Sequence, residues 1–322
     1  MVLYDSVRRG FTLKVTALAG GVGAARFLTG LTQLIPQKDL TVIVNTGDDI
    51  ELFGLHISPD IDIVTYTLAG IVDEAKGWGI RGDTFHCLSQ LKALGEDTWF
   101  NLGDQDLATH IYRTQRLNQG ATLLQVTEEI RQHLGVKTKI LPMSNDRFET
   151  RIVTSTGSVH FEEYFVKRQC KDEVLGVEFV GQATAKPAMG VLEAIDEADL
   201  VVVCPSNPLV SIGTILSVQG VREALKKTSA YVVGVSPIVA GAAIKGPADK
   251  MLRGLGLEVS AVGVAGLYCD FLDALVIDSQ DAELNVRVEK LGLKVTVANT
   301  VMKSLEDKVA LAKAVLDSKV PI

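Results

Sequence analysis

Short runs of apolar residues alternate along the chain with segments whose apolar positions repeat every three to four residues. The first run, 12–19, stops at a cluster of glycines, and the segment 24–34 that follows has helical spacing. A second apolar run, 40–45, ends in polar residues. Four later runs are continuously apolar, which is typical of strands buried on both faces: 200–204, 230–235, 274–277 and 294–298. This rhythm predicts an α/β fold with a doubly wound, mostly parallel, Rossmann-like sheet.

The alternation of strand and helix patterns is interrupted in the middle of the chain, because no strong strand pattern occurs between 61 and 135. Helical spacing recurs there in four segments: 61–68, 84–94, 106–117 and 123–134. Two shorter signals follow: a return to the sheet at 139–141, and a hairpin formed by 151–154 and 158–161 around Thr156-Gly157. We therefore predict a Rossmann-like core of 12–60 and 136–322, a large helical insertion at 61–135 and a small β-hairpin region.

Charge and cysteine content narrow the class of protein. The chain has 32 basic and 39 acidic residues, a net charge of -7, so its overall field repels nucleic acid and acidic membrane surfaces. No apolar run approaches the roughly 18 residues that a membrane-spanning helix needs. The four cysteines lack zinc-binding or disulfide spacing, which indicates the reducing cytoplasm. The Arg8-Arg9 pair resembles an export signal, but cleavage beyond it would remove the first strand, and we expect none.

The glycine loop Gly20-Gly21-Val22-Gly23 joins the first predicted strand to the first helix. Such a loop presents backbone amides and the positive end of a helix to an anion, which suits a diphosphate. The sequence does not match the motif of nicotinamide-dinucleotide-binding proteins, because Arg26 stands where that motif has a third glycine. The second strand also ends in Asn45 rather than in an acidic residue. The loop does not match the Walker A motif either, since no Gly-Lys-Ser/Thr sequence follows the glycines. A tight turn without a ligand would use the same glycines.

Acidic residues follow the second predicted strand. Asp48 and Asp49 are adjacent, and their repulsion in a semi-buried cleft costs energy unless a cation or hydrogen-bond donors offset it. Carboxylates beside a phosphate-binding loop suit Mg²⁺, so this grouping predicts phosphoryl transfer. Asp60 precedes an apolar run, where an aspartate is expected simply to cap a helix.

Two further loops follow buried strands at the same predicted edge of the sheet. Pro205-Ser206-Asn207-Pro208 combines rigid prolines with short polar side chains, which suits hydrogen bonding to a ligand but also occurs in ordinary turns. Ser236-Pro237 follows the run at 230–235. We expect His86 and His110 to pack in or cap helices rather than act in catalysis.

In their order along the chain, the longer motifs resemble those of one known family. They are the segments 19–27, 44–49, 57–62, 78–80, 101–110, 141–144, 205–208 and 235–238. Several of these segments are long, and their order and spacing are jointly specific. They are similar to the 2-phospho-L-lactate transferase (CofD) family of coenzyme F-420 biosynthesis, and the resemblance runs from about Lys14 to the end of the chain.

The resemblance implies a Mg²⁺-dependent transfer of a phospholactyl or phosphoenolpyruvyl group. The donor would be a guanosine diphosphate ester (guanosine diphospho-lactate or diphospho-enolpyruvate). The acceptor would be the deazaflavin Fo, 7,8-didemethyl-8-hydroxy-5-deazariboflavin, and GMP would be released. A homodimer is implied as well. No motif specifies whether the acid is lactate, enolpyruvate or glycerate.

The same resemblance implies roles for single residues. Asp48 and Asp49 would hold Mg²⁺ and act in catalysis together with Asp62, which would contact the deazaflavin. Asn101 would also lie on the deazaflavin side, where some family members carry a lysine. The remaining substrate-binding residues would be Gly20, Gly21 and Gly23 at the phosphates, Ser206 and Asn207 at the guanosine diphosphate, and Ser236.

A second group of proteins shares the glycine loop and the Ser-Asn-Pro segment. Its members are nucleotide-sugar-binding regulators of the gluconeogenesis-factor type, with no transferase reaction. Trp78-Gly79 and the segment 101–110 favour the transferase branch. We accordingly expect Fo in a cleft between the sheet and the insertion, with apolar walls from Trp78, Phe85 and Trp99.

Overall fold

A seven-stranded parallel sheet forms the centre of the computed structural model, which describes residues 13–318. The strands of the protein are β1 (Val15–Ala19), β2 (Leu40–Val44), β3 (Ile50–Leu52), β4 (Leu55–Ile57), β5 (Lys139–Pro142), β6 (Glu149–Thr154), β7 (Gly157–His160), β8 (Gly176–Val180), β9 (Leu200–Val203), β10 (Tyr231–Val235), β11 (Ile238–Val239), β12 (Ala242–Ala243), β13 (Ala274–Asp278) and β14 (Lys294–Ala298). The central sheet has the order β14-β13-β10-β9-β1-β2-β5. Each of its strands matches a predicted run, and the α/β prediction is confirmed.

The strand order reverses between β1 and β9. From β1 the chain adds β2 and β5 on one side, then returns to pair β9 with β1 on the other side. β10, β13 and β14 follow outward from β9, and all of these pairs are parallel. In open parallel sheets, ligands bind outside the carboxyl ends of the strands at such a reversal. The loops after β1 and β9 flank this position.

Twelve α-helices are present within residues 13–318. They are α1 (Gly21–Leu31), α2 (Pro59–Leu68), α3 (His86–Ala93), α4 (Asp104–Asn118), α5 (Leu123–His133), α6 (Val191–Asp196), α7 (Ile212–Ser217), α8 (Val221–Lys227), α9 (Ala248–Gly254), α10 (Ala261–Tyr268), α11 (Asn285–Glu289) and α12 (Leu305–Asp317). None of them is long and apolar enough to cross a lipid bilayer.

Both faces of the central sheet are buried. In β1, Leu18 packs into one apolar core, whereas Ala17 and Ala19 pack into another. Successive side chains of a strand point to opposite faces, so a continuously apolar strand needs a packed layer on each side. The uninterrupted apolar runs in the sequence have this physical origin.

Four helices, α2 to α5, lie between the second and third strands of the central sheet and match the four predicted helical segments. A short hairpin of β3 and β4, which the sequence pattern did not predict, precedes them. Phe53 and Gly54 at its turn both have positive φ, 54° and 73°, as a tight two-residue hairpin turn requires.

The predicted hairpin near residue 155 is present as β6 and β7, joined through Thr154 and Gly157. β8 adds a third antiparallel strand, which was not predicted. A short π-helical segment, Glu163–Lys167, follows β7. The start of the first predicted strand at Thr12, the Arg8-Arg9 pair, and the last four residues of the predicted core lie outside the described residues.

Candidate functional site

A large cavity lies at the carboxyl edge of the sheet, where β1 and β9 are neighbours. Its volume is about 550 Å³, which is within the usual range for small-molecule sites. The loops after β1, β2, β9 and β10 contribute to its wall, together with α2, α4 and the π-helical segment. The cavity is therefore at the position that parallel strand topology favours for a ligand.

The glycine loop forms one wall of the cavity and is held against the loop after β9. The Gly20 amide donates a hydrogen bond to Ser206 Oγ at 3.2 Å. Gly21 has a φ of 73°, and a Cβ at Gly23 would lie 2.3 Å from the Pro205 carbonyl oxygen, so neither position tolerates a side chain. The Gly20 side of helix α1 provides no side-chain cap, and the Gly21 amide donates to Asp60, so Val22 and Gly23 carry the amides of this first turn that an anion could use.

Asn45, the residue directly after β2, joins two carboxylates. Its Nδ2 donates to Asp48 Oδ2 and to Asp60 Oδ2, each at 2.9 Å, while its Oδ1 accepts from the Gly47 amide. Asp60 therefore does not cap α2. The expectation of a capping role is corrected: Ser58 occupies the cap position, and the Asp60 side chain lines the cavity beside the glycine loop.

Glu162 adds another buried acid to this group. Burial raises the pKa of Glu162 to about 8, and the charges of Asp60 and Asp49 contribute in the same direction. Burial likewise raises the pKa of Asp60 to about 7, against the hydrogen bond from Asn45. Burial, then the charges of Asp60, Glu162 and Asp49, raise the pKa of Asp48 well above its ordinary range. We call Asp48, Asp49, Asp60 and Glu162 the acidic group.

Two members of the acidic group, Asp48 and Asp49, have carboxylate oxygens that could hold a divalent cation. Asp48 Oδ1 and Asp49 Oδ1 are buried and have no hydrogen-bond partner within residues 13–318. Hard carboxylate oxygens next to a phosphate-binding loop are the ligands that Mg²⁺ prefers, and a cation would offset the repulsion that raises these pKa values. Asp49 lies behind the cavity wall, where its Oδ2 contacts His56 Nε2 at 3.0 Å and accepts from Ser58 Oγ at 2.8 Å.

A buried ion pair stands on the other side of the cavity. Arg113 of α4 is fully buried, and both its terminal nitrogens donate to the carboxylate of Asp62 from α2. Burial raises the pKa of Asp62, whereas the Arg113 guanidinium opposes this shift. Because Arg113 already supplies a positive charge, a metal at Asp62 would meet repulsion that the acidic group does not present.

His110 connects this ion pair to a second acid. Its Nδ1 lies 3.7 Å from Asp62 Oδ2, and its Nε2 lies 3.4 Å from Asp106 Oδ1 without a hydrogen bond. Tyr66 donates to the same Asp106 oxygen at 2.7 Å. Asp62, Asp106 and His110 offer ligand atoms within 4.8 Å of one another, and within residues 13–318 they are the one set of three acidic, histidine or cysteine side chains with this spacing. His110 lines the cavity and belongs to this network, beyond the packing role expected of it.

Aromatic side chains form the apolar part of the wall. Trp78 and Phe100 come from the segment between α2 and α4. Phe161 and Phe165, which follow β7 in the chain, contribute two further rings. Phe161 and Phe165 stack with ring planes 3° apart. The expected wall residues Phe85 and Trp99 do not line the cavity; each packs edge-on against one that does, Trp78 and Phe100 respectively.

Of the remaining predicted site residues, three line the cavity and one does not. Asn101, Ser206 and Asn207 line it. Asn207 Oδ1 also accepts from the amides of Leu209 and Val210, which fixes the loop after β9. Ser236 is fully buried outside the wall, and its hydroxyl donates to the carbonyl oxygen and accepts from the amide of Ile238.

Sequence reasoning missed Glu162, Arg113 and the role of His110. For α4 a signal existed: Asp106, His110 and Arg113 are spaced i, i+4 and i+7, which places three ionisable side chains on one helix face. Asp62 and Tyr66 have the same i, i+4 spacing on α2. Glu162 gave no signal, because it reaches the cavity only through the placement of the small β-sheet.

A solved structure confirms the architecture. A member of the UPF0052 family from Bacillus halodurans matches with a TM-score of 0.66 over 95% of this chain and 99% of that chain. The two sequences are 17% identical, so the likeness concerns the fold alone.

Sequence relatives are considerably more similar. The chain is 45% identical over 311 residues to the "Phosphoenolpyruvate transferase" of Streptomyces griseus, covering 95% of this chain and 98% of that protein. It is 41% identical over 307 residues to the "2-phospho-L-lactate transferase" of Methanocaldococcus jannaschii, covering 94% and 97%. A family model described as "2-phospho-L-lactate transferase CofD" matches residues 15–313. The chain thus belongs to the CofD family of 2-phospho-L-lactate transferases.

Proposed function

We propose that this protein transfers a phospholactyl or phosphoenolpyruvyl group from a guanosine diphosphate ester to the terminal ribityl hydroxyl of Fo, releasing GMP, in coenzyme F-420 biosynthesis. Relatives with both transferase names support the reaction class, and no comparison favours the regulatory alternative. The observation that carries the proposal is the acidic group beside an uncapped helix start that faces the same cavity.

Mg²⁺ is the cofactor in this proposal. Asp48 and Asp49 would hold it through their unpaired Oδ1 atoms, with Asp60 and Glu162 adding negative charge around them. A bound Mg²⁺ neutralises phosphate charge and orients the diphosphate. The glycine loop would take the phosphates, with Ser206 and Asn207 on the guanosine diphosphate side of the cavity. We keep Ser236 in a supporting role, behind the loop that it stabilises.

The reaction is an in-line displacement at the β-phosphorus. A bond forms from the Fo hydroxyl oxygen to that phosphorus, and the bond to the oxygen bridging to the α-phosphorus breaks, so that GMP leaves. We assign the hydroxyl proton to Glu162. Glu162 lines the cavity next to Phe161 of the aromatic wall, and burial, the largest cause of its raised pKa, strengthens its affinity for a proton.

The acceptor would occupy the aromatic part of the cavity. Trp78 and Phe100 of the 61–135 insertion and Phe161 of the small β-sheet would enclose the flat ring system. Asp62, fixed by Arg113, would offer carboxylate oxygens to polar groups of Fo, with Asn101 at the rim. The insertion and the core thus act as two sides of one site.

The proposed setting is a cytoplasmic homodimer. Widely spaced cysteines and a net charge of -7 are consistent with a soluble protein of a reducing compartment, and twofold dimers are the commonest oligomers. Gel filtration with light scattering would test the dimer.

The direct test is incubation of the protein with Fo, Mg²⁺ and each guanosine diphospho-acid in turn, with mass spectrometry of the products. We expect a phospho-acid diester of Fo and one GMP for each product formed. If no donor gives product, while a uridine diphosphate sugar raises the melting temperature and GDP does not, the transferase proposal is wrong.

A further inference from the structure

Two cationic side chains line the cavity beyond the glycine loop, and neither has an acidic partner. They are Arg26, in the second turn of α1, and Lys245, in the loop between β12 and α9. Among residues 13–318, no ion pair or side-chain hydrogen bond involves either of them. This differs from Lys76, which also lines the cavity but is paired with Asp73 at 3.2 Å.

Arg26 and Lys245 converge on one point. A Cβ placed on Gly77 would lie 3.0 Å from Lys245 Nζ and 4.0 Å from Arg26 Nη2. Gly77 is buried and has a φ of 76°, so the chain there passes close to both cations without a side chain of its own. The three residues come from separate segments, and together they form a small cationic recess in the cavity wall.

The two like charges repel each other. Partial burial, followed by the charge of Arg26, lowers the pKa of Lys245. The repulsion between the two charges costs free energy in the protein without ligand. An anion that binds between them offsets this cost. The recess therefore has the chemistry of an anion subsite.

The recess is distinct from the expected diphosphate position. The backbone amides of Val22 and Gly23 at the start of α1 are the donors expected for the phosphates, and the acidic group lies on the Asp60 side of that loop. Val22 and Arg26 share one face of α1 at i, i+4 spacing, and both come close to Gly77. An anion held there would adjoin the diphosphate without replacing it.

We propose that Arg26 and Lys245 bind the carboxylate of the acid that the donor carries on its β-phosphate. This inference rests on the proposed function, because it takes the donor to be a guanosine diphospho-acid. Every candidate acid has a carboxylate on the carbon that bears the phosphate oxygen, so this group lies within a few bonds of the β-phosphorus. By binding the carboxylate, Arg26 and Lys245 would fix the carbon that bears the phosphate oxygen and orient the β-phosphorus toward the acceptor hydroxyl.

The test compares two ligands that differ only in the acid. Binding of GDP and of guanosine diphospho-lactate is measured by calorimetry with Mg²⁺ and without Fo, so that no turnover occurs. The variants are Lys245→Met, Arg26→Gln and the charge-conserving Arg26→Lys, and Lys290→Met serves as an exposed lysine control. Arg26 is half-buried and Lys245, although partly desolvated, remains accessible to solvent, so folding should survive these changes.

We expect the wild-type protein to bind the diphospho-acid more tightly than GDP. Lys245→Met and Arg26→Gln should each weaken diphospho-lactate binding on the order of 10-fold or more, as expected for loss of a charge-assisted hydrogen bond, and change GDP binding less than about 2-fold. Arg26→Lys should retain most of the preference, and Lys290→Met all of it. Equal losses for both ligands would assign the pair to the diphosphate and overturn the inference. Failure of the wild-type protein to bind GDP would instead count against the proposed function.

Discussion

Asp48 and Asp60 share a single hydrogen-bond donor, since Asn45 Nδ2 lies 2.9 Å from an Oδ2 atom of each. Thr150 also donates to Asp48 and the Gly21 amide to Asp60, but burial and the neighbouring acids still raise the pKa of both carboxyl groups. The fold thus maintains a concentration of negative charge at the cavity that a cation would relieve. This relationship gives the first two predictions.

The metal-free protein should lose stability as pH rises. The pKa of Asp60 is about 7 and that of Glu162 about 8 in the folded state, against 3.8 and 4.5 for ordinary groups. The folded state therefore binds more protons than the unfolded state between about pH 4 and pH 8, so the free energy of unfolding falls across that window. Urea denaturation in chelator from pH 5 to pH 9 measures this slope.

Glu162→Gln is the matched test of that slope. It removes the buried charge, so it should flatten the pH dependence and stabilise the metal-free protein at pH 8.5 by a few kcal/mol. Glu74→Gln, at an exposed glutamate, should follow the wild-type curve. A Glu162→Gln protein with the unaltered pH profile would show that Glu162 does not titrate as proposed.

The Asp48→Asn variant should fold normally but lose most of its turnover. The amide keeps the size of the side chain but removes the charge that attracts Mg²⁺, so turnover should fall by at least about 100-fold while the circular dichroism spectrum is unchanged. Millimolar Mg²⁺ should raise the melting temperature of the wild-type protein and of the exposed control Asp196→Asn, but not that of Asp48→Asn. Full activity of Asp48→Asn, or of the wild-type protein in excess chelator, is incompatible with this metal site.

The central sheet could be predicted because its strands are buried on both faces. Val202 and Val233, for example, lie in apolar runs that only such a sheet accommodates. β3 and β8 escaped prediction, since their short strands have mixed burial and depend on their neighbours for pairing. Local pattern therefore specified the layers of the fold but not its small antiparallel additions.

The strand pattern predicted the site where its residues follow a strand, whereas Asp62 and Asn101, which also line the cavity, were expected from the family resemblance. Asp48 and Ser206 lie in the loops that follow β2 and β9, and the edge of a parallel sheet collects such residues into one cavity. Asp60 was misjudged because aspartate near a helix start has a local explanation, and only the tertiary contact with Asn45 overrides it. Glu162 depends wholly on tertiary placement.

Replacing Arg113 should be more damaging than replacing any exposed arginine of α4. Arg113→Gln leaves the buried Asp62 carboxylate without its counter-charge, and the loss of unfolding free energy should be about 3 to 5 kcal/mol. Asp62→Asn in the same chain should restore part of that loss. Arg116→Gln is the control, because Arg116 and its partner Glu129 are both partly exposed to solvent and the melting temperature should change much less. Equal melting temperatures for the two single variants would contradict a compensating role for Arg113.

The two tryptophans of the chain provide a matched test of where Fo binds. Trp78 lines the cavity, whereas Trp99 packs behind Phe100 and contacts Lys167. An aromatic wall gains its binding energy from rings in direct contact with the ligand, so Trp78→Ala should weaken Fo binding by about 10-fold or more and Trp99→Ala by less than about 3-fold. Titration followed by the fluorescence of Fo itself measures both. If Trp99→Ala caused the larger loss, the deazaflavin would have to lie outside the wall formed by Trp78 and Phe161, and the insertion would contribute to Fo binding through a different surface.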